Sequence, residues 1–346
     1  MFETKVITGA VAGAVIGCGY FWYRQKYADN TKSIALFTDL EPDDMIAMQV
    51  LNQRGLIPKF LFVGEGDSNI KYARAARYCR ALGWRNTTIM KSYGSDKLFP
   101  GEEFLVNNST LPPQKQIKDI KTELAEIETY ICLKPPRELY DWHIMGEPNL
   151  LKDKKLVIYG SFNLRTLKDK YKDSAAISWI FDTSKPFKEV ILYESHGGIK
   201  NAKTNSFSPE STPRLINAII SNVSHFSLLT QQCMAQWDQY MIDDCLNTMK
   251  ECDKNLDDPD IKAKYDRNKK CYESVVKFMG KQFVAADPVL ALIYDNPQFS
   301  EFKQPVDVDV SGRYPVITDN PDSSVFIYRG LNWHHVVDGL TQCFLE

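Results

Sequence analysis

A chain of 346 residues and 39.6 kDa, 44% hydrophobic and 25% charged, can bury a large core and has the composition of a globular protein. The formal net charge is -2 and the isoelectric point about 6.3, so the composition implies no polyanion partner and no nucleic acid is expected. The eight cysteines include no CxxC pair, which argues against a close-spaced zinc site; they read as buried free thiols, with pairing among Cys233, Cys245, Cys252 and Cys271 left open.

In chain order, the first feature is the uncharged run Val6 to Tyr23, 18 residues, near the lower limit for a helix that crosses a bilayer. Tyr20, Trp22 and Tyr23 stand at its end, where interfacial aromatics belong, and Arg24 and Lys26 follow. We expect a single N-terminal transmembrane helix in a membrane anchor over residues 1–26, a polar linker over 27–32, and the remainder on the cytosolic side. Gly9, Gly13 and Gly17 share one face of that helix and would allow close packing on another. A cleaved signal peptide and lipid attachment at Cys18 are the alternatives. The first lacks a small-x-small site before a polar stretch, and the aromatic run after Cys18 opposes the second.

From residue 33 to 346 the pattern is that of one α/β domain. Apolar runs at Ile34–Phe37, Phe60–Val63, Leu156–Tyr159 and Val190–Tyr193 read as strands, and Asp43–Gln53 and Asn69–Leu82 as helices. This alternation predicts an open, mostly parallel sheet with helices on both faces, and a ligand site beyond the carboxyl ends of its strands. Residues 94–150, rich in proline around a helix-like stretch Gln116–Ile131, read as an excursion over that rim. The charged residues 250–270 read as a solvated loop between two helices.

The sharpest signal is Ala35-Leu36-Phe37-Thr38-Asp39-Leu40-Glu41-Pro42-Asp43-Asp44, an apolar strand that runs into four carboxylates and then a helix. An acidic helix start, capped by Asp43 or Asp44, accounts for one or two of them. Four packed at one strand end repel one another and must take up protons or share a cation. A hard divalent ion with oxygen ligands, of which calcium is the type, resolves the conflict. Asp43 and Asp44 point about 100° apart on a helix, so one can hold metal while the other reaches a substrate hydroxyl.

This stretch resembles the nucleoside hydrolase signature, an apolar strand followed by D-x-D-P-G-x-D-D. Phe37 stands for the first family aspartate, and Leu40, Glu41 and Pro42 replace Pro-Gly-x. The resemblance implies that Asp39 holds calcium and acts as the base toward the attacking water. It implies that Asp44 binds calcium and that Asp43 grips sugar hydroxyls. Four further stretches are similar in the same order. They are Gly66-Asp67-Ser68-Asn69; Val157-Ile158-Tyr159-Gly160-Ser161-Phe162-Asn163; His196-Gly197-Gly198 with Asn201 and Asn205; and Ala286-Asp287-Pro288. By that resemblance Asn69, His196, Asn201 and Asn205 lie at the sugar, Tyr159 lends calcium a backbone carbonyl, and Asp287 is the remote calcium ligand. Ala286 replaces a family histidine linked to the leaving base. The tail, Val306–Val310 and Val316–Asp319 with a helix from Trp333 to Phe344, is similar to the closing strands and final helix of that family.

The resemblance implies a calcium-dependent hydrolase that splits the N-glycosidic bond of a nucleoside or related N-riboside, at a membrane, with self-association left open. His143 and His196 are candidates for proton transfer. Trp142, Phe99 and Tyr140 serve either as packing or as a base platform. Two other readings compete. One is a binding or scaffold protein that kept the fold without the chemistry, which Phe37 and Ala286 favour. The other is a phosphatase with Asp39 as nucleophile, which lacks the aspartate two residues on, since Glu41 stands there.

Overall fold

The structure, a computed structural model, describes residues 32–64, 67–92, 115–134, 136–159, 179–181, 186–193, 199–200, 206–284, 286–299, 302–309, 316–329 and 331–345. The membrane segment expected over residues 6–23 lies outside them. Among the described residues, no helix is long and apolar enough to cross a membrane.

The chain opens with β1 (Lys32–Thr38), α1 (Pro42–Gln53), β2 (Pro58–Val63), α2 (Ser68–Leu82) and β3 (Thr88–Lys91). It continues through α3 (Ile117–Ala125), β4 (Thr129–Cys132), α4 (Arg137–Ile144), β5 (Lys155–Tyr159) and β6 (Glu189–Tyr193). Short strands β7 (Ile199–Lys200) and β8 (Ser206–Phe207) precede α5 (Pro213–Ser221), α6 (His225–Cys252) and α7 (Pro259–Lys277). The last part comprises β9 (Phe283–Val284), α8 (Ala286–Asp295), β10 (Phe302–Asp309), β11 (Val316–Asp319), β12 (Val325–Arg329), β13 (Leu331–Asn332) and α9 (Trp333–Leu345).

Among the described residues the main sheet has nine strands, in the order β11-β10-β12-β6-β5-β4-β1-β2-β3. From β12 to β3 every neighbouring pair is parallel, and β10 runs antiparallel to both of its neighbours. This bears out the mostly parallel sheet. Period-2 alternation divides its residues between two cores. Leu36, Leu61, Val63, Ile131, Val157 and Ile191 face helices α1, α2, α5, α6, α8 and α9. Phe37, Phe60, Phe62, Tyr130, Cys132 and Ile158 face α3 and α4 on the other side.

Two expectations are corrected. The stretch Gln116–Ile131 is not one helix: α3 ends at Ala125, and β4 enters the middle of the sheet beside β1. All four residues of β4 are buried, and its apolar run needs the second face that a sheet interior supplies. Residues 115–150 therefore hold an integral strand between two helices. The charged segment 250–270 is largely helical, because Asp258 caps α7 by accepting from the amides of Asp260 (2.8 Å) and Ile261 (3.3 Å), with Pro259 preset for the first turn. Its charges lie on the exposed side of a helical hairpin whose other arm is α6. The described cysteines are free thiols, all buried but Cys271.

Phe37, where the resembling signature has an aspartate, is fully buried. Its ring stacks on Phe62 at 4.6 Å and 8°, and Tyr130 and Trp142 close around it at 6.0 and 6.1 Å. Trp142 is thus core packing. Tyr140 packs beside Trp179, and exposed His143 stacks on the same indole at 4.9 Å. Phe37→Asp places a carboxylate in this aromatic box with no partner. It should destabilise the chain by about 3–5 kcal/mol or prevent folding, measured by denaturant unfolding. A variant as stable as the parent would show that the position tolerates the signature residue.

Candidate metal and catalytic site

The strand order reverses at β1, whose chain neighbour β2 lies on one side and β4 on the other. In open α/β sheets such a switch point leaves a crevice beyond the carboxyl ends of the strands. The acidic turn Asp39–Asp44 stands there.

Thr38, the last residue of β1, is fully buried and organises the turn. Its hydroxyl donates to Asp44 Oδ1 (2.5 Å) and accepts the amide of Leu40 (3.0 Å). Leu40 is buried with φ of 57°, in the left-handed region that a leucine rarely enters. Glu41, rather than Asp43 or Asp44, occupies the N-cap of α1, and its amide donates to Asp44 Oδ2 (3.2 Å). Pro42 begins the helix, where its fixed φ suits the first turn and its missing N–H costs nothing.

Asp287 arrives from the far end of the sequence, in the first turn of α8, which packs along α1. One carboxylate oxygen from each of Asp43, Asp44 and Asp287 lies within 4.8 Å of the others. Asp44 and Asp287 are 1% and 5% exposed, and Asp43 is half-buried. Asp39 lies outside this trio but acts on it by charge, and its carboxyl shares a hydrogen bond with Asp44. Burial, then the charge of Asp39, pushes the Asp43 carboxyl up to about 7. Burial, followed by the charges of Asp39, Asp287 and Asp43, holds Asp44 well above the ordinary carboxylate range. Asp287 is raised likewise by burial and by Asp43 and Asp39. The positive ends of two helices, α1 and α8, partly offset this repulsion.

The donor set fits a hard divalent cation. Calcium takes carboxylate oxygens at roughly 2.3–2.6 Å, so ligands on opposite sides of the ion are about 5 Å apart at most, and the trio meets that limit.

The remaining candidates fall as follows. Asn69 is exposed near the start of α2, on the same rim, with its side-chain oxygen accepting from Lys91 Nζ at 2.7 Å. Tyr159 ends β5, which β4 separates from β1. On that side the turn directly beside β1 is the one after β4, where the amide of Leu133 donates to the carbonyl of Phe37 (2.9 Å). His196, Asn201 and Asn205 lie outside the described residues. Two further residues complete the site. Thr38 is a lone hydroxyl at the end of an apolar run. Lys71, buried in the first turn of α2, donates from Nζ to the backbone carbonyl of Asp39, and no local pattern marks it.

No protein-family model and no curated protein sequence matches the chain. Among solved structures it is similar to one titled Inosine-Guanosine Nucleoside Hydrolase (IG-NH), with a TM-score of 0.53 and 11% identity over 90% of this chain and 98% of that one. At that identity the likeness establishes the fold: a distant, nucleoside hydrolase-like α/β sheet.

Carboxyls raised in the folded state hold protons that the unfolded chain releases near pH 4. In metal-free protein their favourable contribution is complete below that pH and is lost as pH rises, through about 7 for Asp43. The metal-free chain should therefore melt at a lower temperature at pH 8 than at pH 5.5, with Asp287→Asn flattening the difference. Calcium should raise the melting temperature at pH 8 more than at pH 5.5. A flat pH profile without metal would contradict the repulsion described.

Proposed function

We propose that the chain is a calcium-dependent hydrolase that splits the N-glycosidic bond of a nucleoside or related N-riboside, attached to a membrane through residues 6–23. The observation that carries this reading is the convergence of Asp43 and Asp44 with the sequence-distant Asp287 in one buried group at the switch point of the sheet. The fold likeness to a protein titled as an inosine-guanosine nucleoside hydrolase supports it.

Asp43, Asp44 and Asp287 would hold the ion, with Asp39 and the Tyr159 carbonyl as the further donors the resemblance implies. The turn after β4 is a nearer source of backbone oxygen. The chemistry that bound calcium supplies is charge, which makes water within its reach more acidic. The chain's residues do the rest. Asp39 is less buried than Asp44 and stands beside it, so it can take the proton as water attacks the anomeric carbon. The carboxylates stabilise the positive charge that develops on the sugar as the bond to the base lengthens. Asp43, through the carboxylate oxygen not turned to the ion, together with Asn69, Asn201, Asn205 and His196, would orient the sugar, and such positioning can supply a large part of the barrier reduction.

The test is release of free sugar from inosine, guanosine and uridine by the full-length chain with calcium. Asp39→Asn should lower kcat by about 10²–10⁴ with little change in KM, as expected for loss of a general base. Asp287→Ala should abolish calcium binding in calorimetry. Calcium binding without cleavage of any N-riboside would overturn the reaction, and a wild-type chain that binds no calcium would overturn the metal assignment.

A further inference from the structure

Lys71 is 2% exposed, yet it sits in the first turn of α2. Removal from water penalises an ammonium, and the positive end of the helix dipole repels it there. A lysine in that position has to be compensated by acceptors close at hand. Its Nζ reaches across to the backbone carbonyl of Asp39. The amide of the same peptide unit, that of Leu40, is held by the Thr38 hydroxyl at 3.0 Å. The Asp39–Leu40 peptide is thus fixed at both its oxygen and its nitrogen. It needs to be, because Leu40 is held in a left-handed conformation that a leucine abandons readily. Relaxation of that φ would rotate the peptide and carry the Asp39 carboxyl away from Asp44.

We infer that Lys71 is a positioning residue of the proposed hydrolase: its ammonium pins the Asp39–Leu40 peptide and keeps the carboxylate group in the shape that receives the cation. This rests on the metal reading above. It adds a residue from α2, the helix after β2, to a carboxylate group supplied by the turn after β1, by the start of α1 and by α8. Through its contact with the backbone carbonyl of the turn, Lys71 acts on the geometry of the group.

The experiment is a calcium titration by calorimetry on the full chain, for the wild type, K71M and K71R, together with thermal unfolding with and without calcium. Methionine matches the length of lysine but cannot donate, whereas arginine can still donate to the carbonyl. K71M should bind calcium at least tenfold more weakly and, with an N-riboside, lose kcat far more than it gains KM. K71R should recover most of the affinity. K71M with wild-type affinity and only a lower melting temperature would make Lys71 a structural lysine and overturn the proposal. Tighter binding by K71M would also overturn it, by showing the ammonium to be only a competing charge. Should K71M not fold, a folded K71R that loses tenfold in affinity overturns the proposal as well, and one that keeps its affinity supports it. A wild-type chain that binds no calcium refutes the metal reading itself, an outcome distinct from a wild type that binds while K71M binds equally well.

Discussion

Four carboxylates packed at the end of one strand repel each other, and most of what is distinctive in this molecule answers that repulsion. Burial, and after it the charges of their neighbours, Asp39 among them, raises the affinity of Asp43, Asp44 and Asp287 for protons. A chain with no use for such a group would disperse it, since each charge removed from water without a partner costs several kcal/mol. Here the fold concentrates it. Two helices direct their positive ends at the group, a threonine hydroxyl and a backbone amide bind Asp44, and a buried ammonium holds the turn from behind.

The sheet makes this concentration possible. Among the described residues, seven parallel strands bring their carboxyl ends to one rim, and the reversal of order at β1 opens space there. Alternation along β1 then separates two tasks. Leu36 packs under α1 and α8, which carry Asp43, Asp44 and Asp287, while Phe37 turns to the opposite face and joins the aromatic box with Phe62, Tyr130 and Trp142. The departure of Phe37 from the signature residue is therefore matched by its surroundings: the position belongs to a packed core and not to the acidic group.

The elements legible from sequence were those with strong local pattern. The strands at Ile34–Phe37, Phe60–Val63, Leu156–Tyr159 and Val190–Tyr193 stand within a residue or two of where their apolar runs place them. Asp67 and Gly83 bracket α2, one accepting from the amides of Asn69 and Ile70, the other taking a φ of 79°. β4 was hidden because its four residues follow a helix by only three and carry no alternation, so periodicity alone joined them to that helix. α7 was hidden because a polar helix on the outside of a hairpin has no apolar stripe to announce it.

The same division holds for the site. Local pattern and residue identity specify that several carboxylates follow β1 and that a helix begins among them, while Asp287 is singled out only by the resemblance and its helix by the fold. Which of those oxygens meet was settled by the tertiary structure. It brought Asp43, Asp44 and Asp287 within 4.8 Å, set Asp39 beside them, and placed β4 between β1 and Tyr159. It also drew in Thr38 and Lys71, whose importance lies in the atoms they reach. Hydrogen bonds and charge–charge forces act over a few ångströms of space, and distance along the chain does not fix distance in space until the sheet order is set.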